Sequence, residues 1–168
     1  MHRLRLFHAA SLDQALAASR QSARRRANAN VHPTLDDPIQ RMLNIFQPGS
    51  YVRPHRHDPD RFELFILLAG EAAAVVFEEG GRPSEWAVLG QSGDWAVEVP
   101  GGAWHTVFAL APDAVLFEVK PGPYRPLVEK DFAPWAPREG TPEAQRVLKE
   151  WERRVLARPE APRGRLER

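Results

Sequence analysis

The sequence predicts an all-β fold, a sandwich or barrel of short strands with a short helix near either end. Three observations carry this reading. Sixteen prolines and eleven glycines among 168 residues suit a turn-rich β architecture better than a helical bundle. Short apolar runs recur through the middle of the chain at regular spacing. Turn chemistry separates them, at Pro48-Gly49, Ala69-Gly70, Gly80-Gly81, Gly90 to Gly93, Pro100-Gly101-Gly102, Pro112-Asp113 and Pro121-Gly122.

The elements follow in order. Ser11-Leu12-Asp13-Gln14 has the form of a capping box, and Leu12, Ala15, Leu16 and Ser19 then keep helical spacing on one side, so a helix is expected to end near Ser22. From Arg26 the pattern becomes extended, with Asn28, Asn30 and His32 on one face, and Pro33 closes it. Further strands are expected at 40–46, 51–57, 62–68, 72–78, 85–89, 95–99, 104–109 and 115–120. The uninterrupted apolar run from Leu64 to Ala69 reads as a strand buried on both faces. Residues 121–137 are rich in proline and aromatics and are expected to lie against the outside of the barrel. Thr141-Pro142-Glu143 opens a second helix with Thr as N-cap and Pro at the first position. Its apolar stripe is Val147, Leu148, Trp151 and Val155. The chain thus divides into an N-terminal arm (1–34), a barrel core (35–122), an extension with a helix (123–157) and a polar tail (158–168) expected to be disordered.

Composition narrows the function. A length of 168 residues supports one domain with a proper core. The absence of cysteine removes disulfides, thiol nucleophiles and thiolate metal sites. No apolar run approaches the roughly 20 residues that span a bilayer, and the start has no stretch suited to a signal peptide, so a cytoplasmic protein without membrane contact is expected. A formal charge of +1 gives no general case for nucleic-acid binding.

Two stretches carry the chemistry: Gly49-Ser-Tyr-Val-Arg-Pro-His55-Arg-His57 running on to Glu63 and Gly70, and Pro100-Gly-Gly102-Ala-Trp-His105. Residues two apart on an extended strand share a face, so His55 and His57 can converge on one point. Glu63 opens a buried run, where a lone carboxylate must pair, neutralise or bind a cation. With His105 the set becomes three imidazoles and one carboxylate. That mixture suits a single divalent transition metal such as Fe, Mn, Ni or Zn, and in a six-coordinate ion it leaves two positions open.

The first stretch fits G-x5-H-x-H-x(3–6)-E-x6-G at every fixed position and the second fits P-x-G-x2-H, so the chain resembles the cupin superfamily. Gly93 lies one residue farther from Pro100 than is usual, and Ala109 stands where many cupins have Asn; neither position supplies a ligand. More narrowly, Arg24 to His32, Gln47 to His57 and Lys130 to Pro137 are similar to the WbuC-type cupin-fold metalloproteins, a family with members encoded among bacterial surface-polysaccharide genes. The resemblance implies a cupin double-stranded β-helix, or jelly-roll barrel, and a bound metal.

Other residues are weighed against these. Arg24, Arg25 and Arg26, followed by the Asn28 and Asn30 face, are candidates for binding a carboxylate or phosphate, because the arginine fork matches both. His32 and Tyr51 are candidates for catalysis, Tyr51 because it shares the parity of His55 and His57 and so is expected to line the pocket beneath them. Arg56 has opposite parity to the histidines, and both Arg53 and Arg56 are expected to point away from the metal, as is Trp104 beside His105. Two functions follow as expectations. One is a metal-dependent enzyme, an isomerase or epimerase or a non-haem iron dioxygenase, acting on a small anionic or sugar-derived metabolite. The other is a non-catalytic cupin that binds a sugar or sugar nucleotide around a structural metal. A homodimer is expected from the apolar N-terminal residues Leu4, Leu6 and Phe7, and no nucleic-acid partner.

Overall fold

The computed structural model describes residues 4–90 and 93–157; the expectation of a disordered tail at 158–168 lies outside them. Eight strands form two antiparallel sheets. β1 (Arg26–Asn30), β2 (Ile39–Phe46), β3 (Glu63–Ala69), β6 (Ala96–Val99) and β8 (Ala114–Pro121) make a five-stranded sheet in the order β1-β2-β8-β3-β6. β4 (Ala72–Phe77), β5 (Pro83–Leu89) and β7 (Trp104–Ala109) make the other, in the order β5-β4-β7. Sequence neighbours repeatedly fall in different sheets, as in the expected cupin jelly roll.

The period-2 alternation of the strands sorts their side chains between two apolar clusters. Ala72 and Ala74 of β4 and Val107 and Ala109 of β7 meet Phe65, Leu116 and Phe46 between the sheets. Ala73, Val75 and Phe77, with Trp104 and Phe108, point the other way and are covered by α2 (Pro142–Ala157) through Ala144, Leu148, Trp151 and Val155. Thr141 caps this helix, its Oγ1 accepting from the Ala144 N–H at 3.2 Å. The extension joins the same cluster: Ala133 and Ala136 are buried, and the Trp135 ring lies 5.1 Å from Phe77. On the opposite flank α1 (Ala9–Gln21) packs Ala15, Leu12 and Leu16 against Ile45, Val115 and Ala29.

Three expectations need correction. α1 begins at Ala9, with His8 at the cap and no side-chain cap bond, so Ser11 does not open the helix. The 64–69 run is not buried on both faces: Glu63 and Phe65 are buried, whereas Leu68 is 56% exposed. Residues 51–57 are not a strand. Pro54 has no N–H to give a ladder, and the backbone groups around it go to three different parts of the chain. His55 exchanges bonds with His105 (3.1 and 2.9 Å), Arg56 N–H reaches the Asp131 carbonyl, the Ala133 N–H reaches Pro54, and the Gly102 N–H reaches His57.

Candidate metal centre

The cluster forms where the 51–62 connection crosses the end of the barrel beside β3 and β7. His105 leaves β7 on the face opposite Trp104, toward the space between the sheets, and Glu63 is the first residue of β3 on the cavity side. His55 is clamped to His105 by the backbone exchange, and His57 lies beyond it. One ligand atom from each of His55, His57, Glu63 and His105 lies within 4.8 Å of the others.

The orientation of the rings has a local cause. The Nδ1 atoms of His55 and His105 sit 3.1 and 2.9 Å from the carbonyls of Arg53 and Ala103, two residues upstream in each case. A carbonyl only accepts, so each Nδ1 carries its proton and donates, leaving Nε2 for the centre. This is how an imidazole ligand is ordinarily held from behind. Burial keeps His55 neutral, its pKa pressed down to about 3. Burial pulls His105 the same way, but its contact with Glu63 (Nε2 to Oε2, 2.9 Å) outweighs that and raises it. Burial pushes Glu63 up, yet His105, His57 and the Lys120 ammonium beside it hold its carboxyl well below the usual carboxylate range. His57 Nε2 is buried 2.8 Å from Glu63 Oε1 without hydrogen-bonding geometry and has no other partner among the described residues. A buried nitrogen left that way is costly unless something else meets it. With this nitrogen, two rings fixed in the ligating tautomer and a mixed N/O donor set, the cluster fits a divalent metal.

The cluster lines part of a cavity of about 570 Å³. Arg24, Arg26, Asn28, Asn30 and His32 line the same cavity, so the two regions singled out in the sequence share one chamber. Register explains it. Asn28 pairs across β2 with Asn44, and Met42 links Asn30 to Glu118 of β8, which in turn faces Phe65 of β3. All lie on the inner face, whereas Ala29 packs away from it against α1.

Two candidates fall elsewhere. Tyr51 does not line the cavity: its hydroxyl donates to the Pro137 carbonyl at 2.9 Å and its ring stacks on Trp151 at 5.8 Å, because the parity it shares with the histidines has no meaning outside a regular strand. Arg25 takes a positive φ of 55° and donates to Pro48, away from the chamber. Arg24 and Arg26 do line it, but Glu139 already holds both. Arg24 makes a two-bond fork with the carboxylate (2.8 and 3.0 Å) and Arg26 adds a third bond at 2.8 Å. His32 Nδ1 is engaged with the Arg41 backbone, and its Nε2 is buried without a hydrogen-bond partner among the described residues. Arg53 and Arg56 point away, to Glu129 and Glu79.

Sequence reasoning missed Glu118 and Lys120. Lys120 Nζ lies 2.8 Å from Glu63 and 2.7 Å from Glu118, bridging the ligand carboxylate to a second buried one. Burial and the Glu63 charge push Glu118 up to about 7, against the opposing pull of Lys120 and Asn44. A Glu and a Lys two apart, in the otherwise apolar run Ala114 to Pro121, were the available signal, because that spacing puts both on one face.

A family described as a domain of unknown function (DUF6016) matches residues 7–89. No curated protein matches the chain. Among solved structures, the chain is similar to TT1209 from Thermus thermophilus (22% identity, 70% of this chain and 97% of that one, TM-score 0.53). It is also similar to an oxalate oxidase in complex with the substrate analogue glycolate (17% identity, 64% of this chain and 56% of that one, TM-score 0.51). A third is CapF with the inhibitor 3-isopropenyl-tropolone (23% identity, 63% of this chain and 30% of that one, TM-score 0.50). At these identities the likeness is one of fold.

Proposed function

We propose that this chain is a metal-dependent enzyme acting on a small polar metabolite, sugar-derived or anionic, in the chamber between its sheets. The observation that carries this reading is the convergence of His55, His57, Glu63 and His105 in a 570 Å³ cavity whose lining mixes apolar side chains with Asn28, Asn30, Asn44, Glu118 and Lys120. A divalent ion held by those four residues would supply Lewis acidity. The remaining tasks fall to side chains. Asn28, Asn30 and Asn44 offer amide donors and acceptors along one wall for hydroxyl groups. Lys120 keeps its proton at Nζ between two carboxylates, because their negative charge outweighs its burial. Glu118, pushed up to about 7, changes protonation near neutrality and is the group in the chamber suited to exchange a proton with a bound substrate. His32 is the second candidate for that role. Sugar chemistry in surface-polysaccharide metabolism is the setting favoured by the likeness to WbuC-type sequences, and isomerisation, epimerisation and iron-dependent oxygenation are the reactions to assay.

We further propose a cytoplasmic homodimer. Among the described residues no helix is long and apolar enough to cross a membrane. Leu4, Leu6 and Phe7 are 91%, 70% and 60% exposed, an apolar surface that pairing of copies would cover. A light-scattering mass of one chain at micromolar concentration would count against the dimer.

Elemental analysis of protein purified without added metal, wild type beside His57→Ala, tests the central reading. One equivalent of a transition metal in wild type, absent from the variant, is the expected result. Turnover by a metal-free His57→Ala protein would overturn it. A tightly held ion with no exchangeable position would favour the binding protein with a structural metal.

A further inference from the structure

A second hollow of about 260 Å³ adjoins the main chamber, and His57, Lys120, Tyr124 and Arg125 line both. It lies between the 56–61 connection and residues 121–131. Cations dominate its walls: Arg56, Arg61, Lys120, Arg125 and Lys130, against Asp58 and Asp131. Not all of these charges are available. Lys120 is committed to Glu63 and Glu118, and Arg56 to Glu79 and the face of Trp104. Asp131, for its part, accepts the Val128 N–H at 2.8 Å. What remains is distinctive. Lys130 is exposed and has no ion-pair partner among the described residues. Arg125 makes one contact, 3.3 Å to Asp58, and is 66% exposed, leaving most of its five donors unused. Arg61 is 13% exposed and rigidly held, donating to the carbonyls of Pro121 and Pro123 at 3.3 and 2.9 Å, with Asp58 at 3.8 Å.

We propose that this annex seats an oxyanion, a phosphate or a carboxylate, carried by the ligand whose body occupies the main chamber. Arg125 and Lys130 make the contacts, and Arg61 supplies fixed charge. The inference rests on the ligand-chamber reading above and assigns its anionic end. The arginines nearest the sequence signal, Arg24 and Arg26, have their forks filled by Glu139, whereas Arg125 and Lys130 present unused donors. An anion on these two groups lies beside His57, so the rest of the molecule extends over the metal ligands. Guanidinium and ammonium recognise phosphate and carboxylate through charge-assisted hydrogen bonds, which is the shared chemistry of both sources.

The test uses the full chain, as purified and after metal removal, with metal content read in parallel. Inorganic phosphate and malonate are titrated separately at constant ionic strength, by NMR shifts of arginine side-chain and backbone amides. The expected result is binding of at least one probe in both metal states, weakened about tenfold or more by combined Arg125→Gln and Lys130→Gln, and unchanged by Arg24→Gln. Which probe binds identifies the anion. Binding of neither probe would overturn the proposal, as would an equal loss in Arg24→Gln or binding that vanishes with the metal. A chain that binds phosphate but holds no metal would sink the metal-centred reading while leaving the annex intact, so the two failures are told apart.

Discussion

The histidine cluster and two members of the arginine triplet, Arg24 and Arg26, line one chamber, and both stand out in the sequence, yet they have different fates. His55 and His105 are short side chains turned by the carbonyls two residues before them, at 3.1 and 2.9 Å, so their direction is decided within three residues of chain. Arg24 and Arg26 are long, and a carboxylate more than a hundred residues away, Glu139, decides where their guanidinium groups end. Spacing is informative for a side chain whose own backbone aims it. It is a poor guide for one that a distant partner can capture.

Substitutions on both sides of this contrast put it to the test. His57→Ala has the largest expected effect. Loss of one of the imidazole ligands should exceed the roughly 10–100-fold cost of disturbing a supporting residue, and it is read by metal titration. Lys120→Met leaves Glu63 and Glu118 facing each other without their common cation. Breaking such a buried set should destabilise the metal-free protein by roughly 3–5 kcal/mol, measured by urea unfolding, with partial recovery when metal is restored.

Glu139→Gln is expected to cost about 1–3 kcal/mol at neutral pH, in the range for hydrogen bonds to charged groups. Its pH dependence has a definite sign. Burial raises the Glu139 pKa, but the bonds from Arg24 and Arg26 more than reverse this and leave it lowered. The folded state therefore favours the carboxylate. Its contribution is present above the ordinary value of 4.5 and disappears as pH falls through the lowered one. Unfolding curves of wild type and variant should converge in acid. The smallest effect is expected at the exposed clip between Arg20 and Asp113, where Asp113→Asn should shift the melting temperature slightly at low salt and not at high salt.

Much of the fold was legible because period-2 alternation and turn residues are local signals. β7 matches its expected bounds, and β2, β3, β6 and β8 differ by a residue at one or both ends. The failure at 51–57 is instructive: the residues have strand composition, but their backbone bonds are divided among three partners, and no property of the segment alone reveals that. Tyr51 was misplaced for the same reason, since parity has meaning only inside a regular strand. Glu118 and Lys120 were legible and overlooked. Their value lies in Lys120 meeting Glu63 across 57 positions, a relation that only the pairing of β8 with β3 creates.

The divided backbone of the 51–62 connection has a consequence for how the protein is made. His55 and His57 leave the ribosome early, but what clamps them arrives later: Ala103 and His105 at the start of β7, then Asp131 and Ala133 in the extension. A chain still emerging offers only two mobile imidazoles and a carboxylate, which is a weak chelator. Capture of an ion is thereby deferred until the chain has been synthesised past Ala133, and metal selection becomes a property of the finished fold rather than of whichever ion the nascent chain meets first.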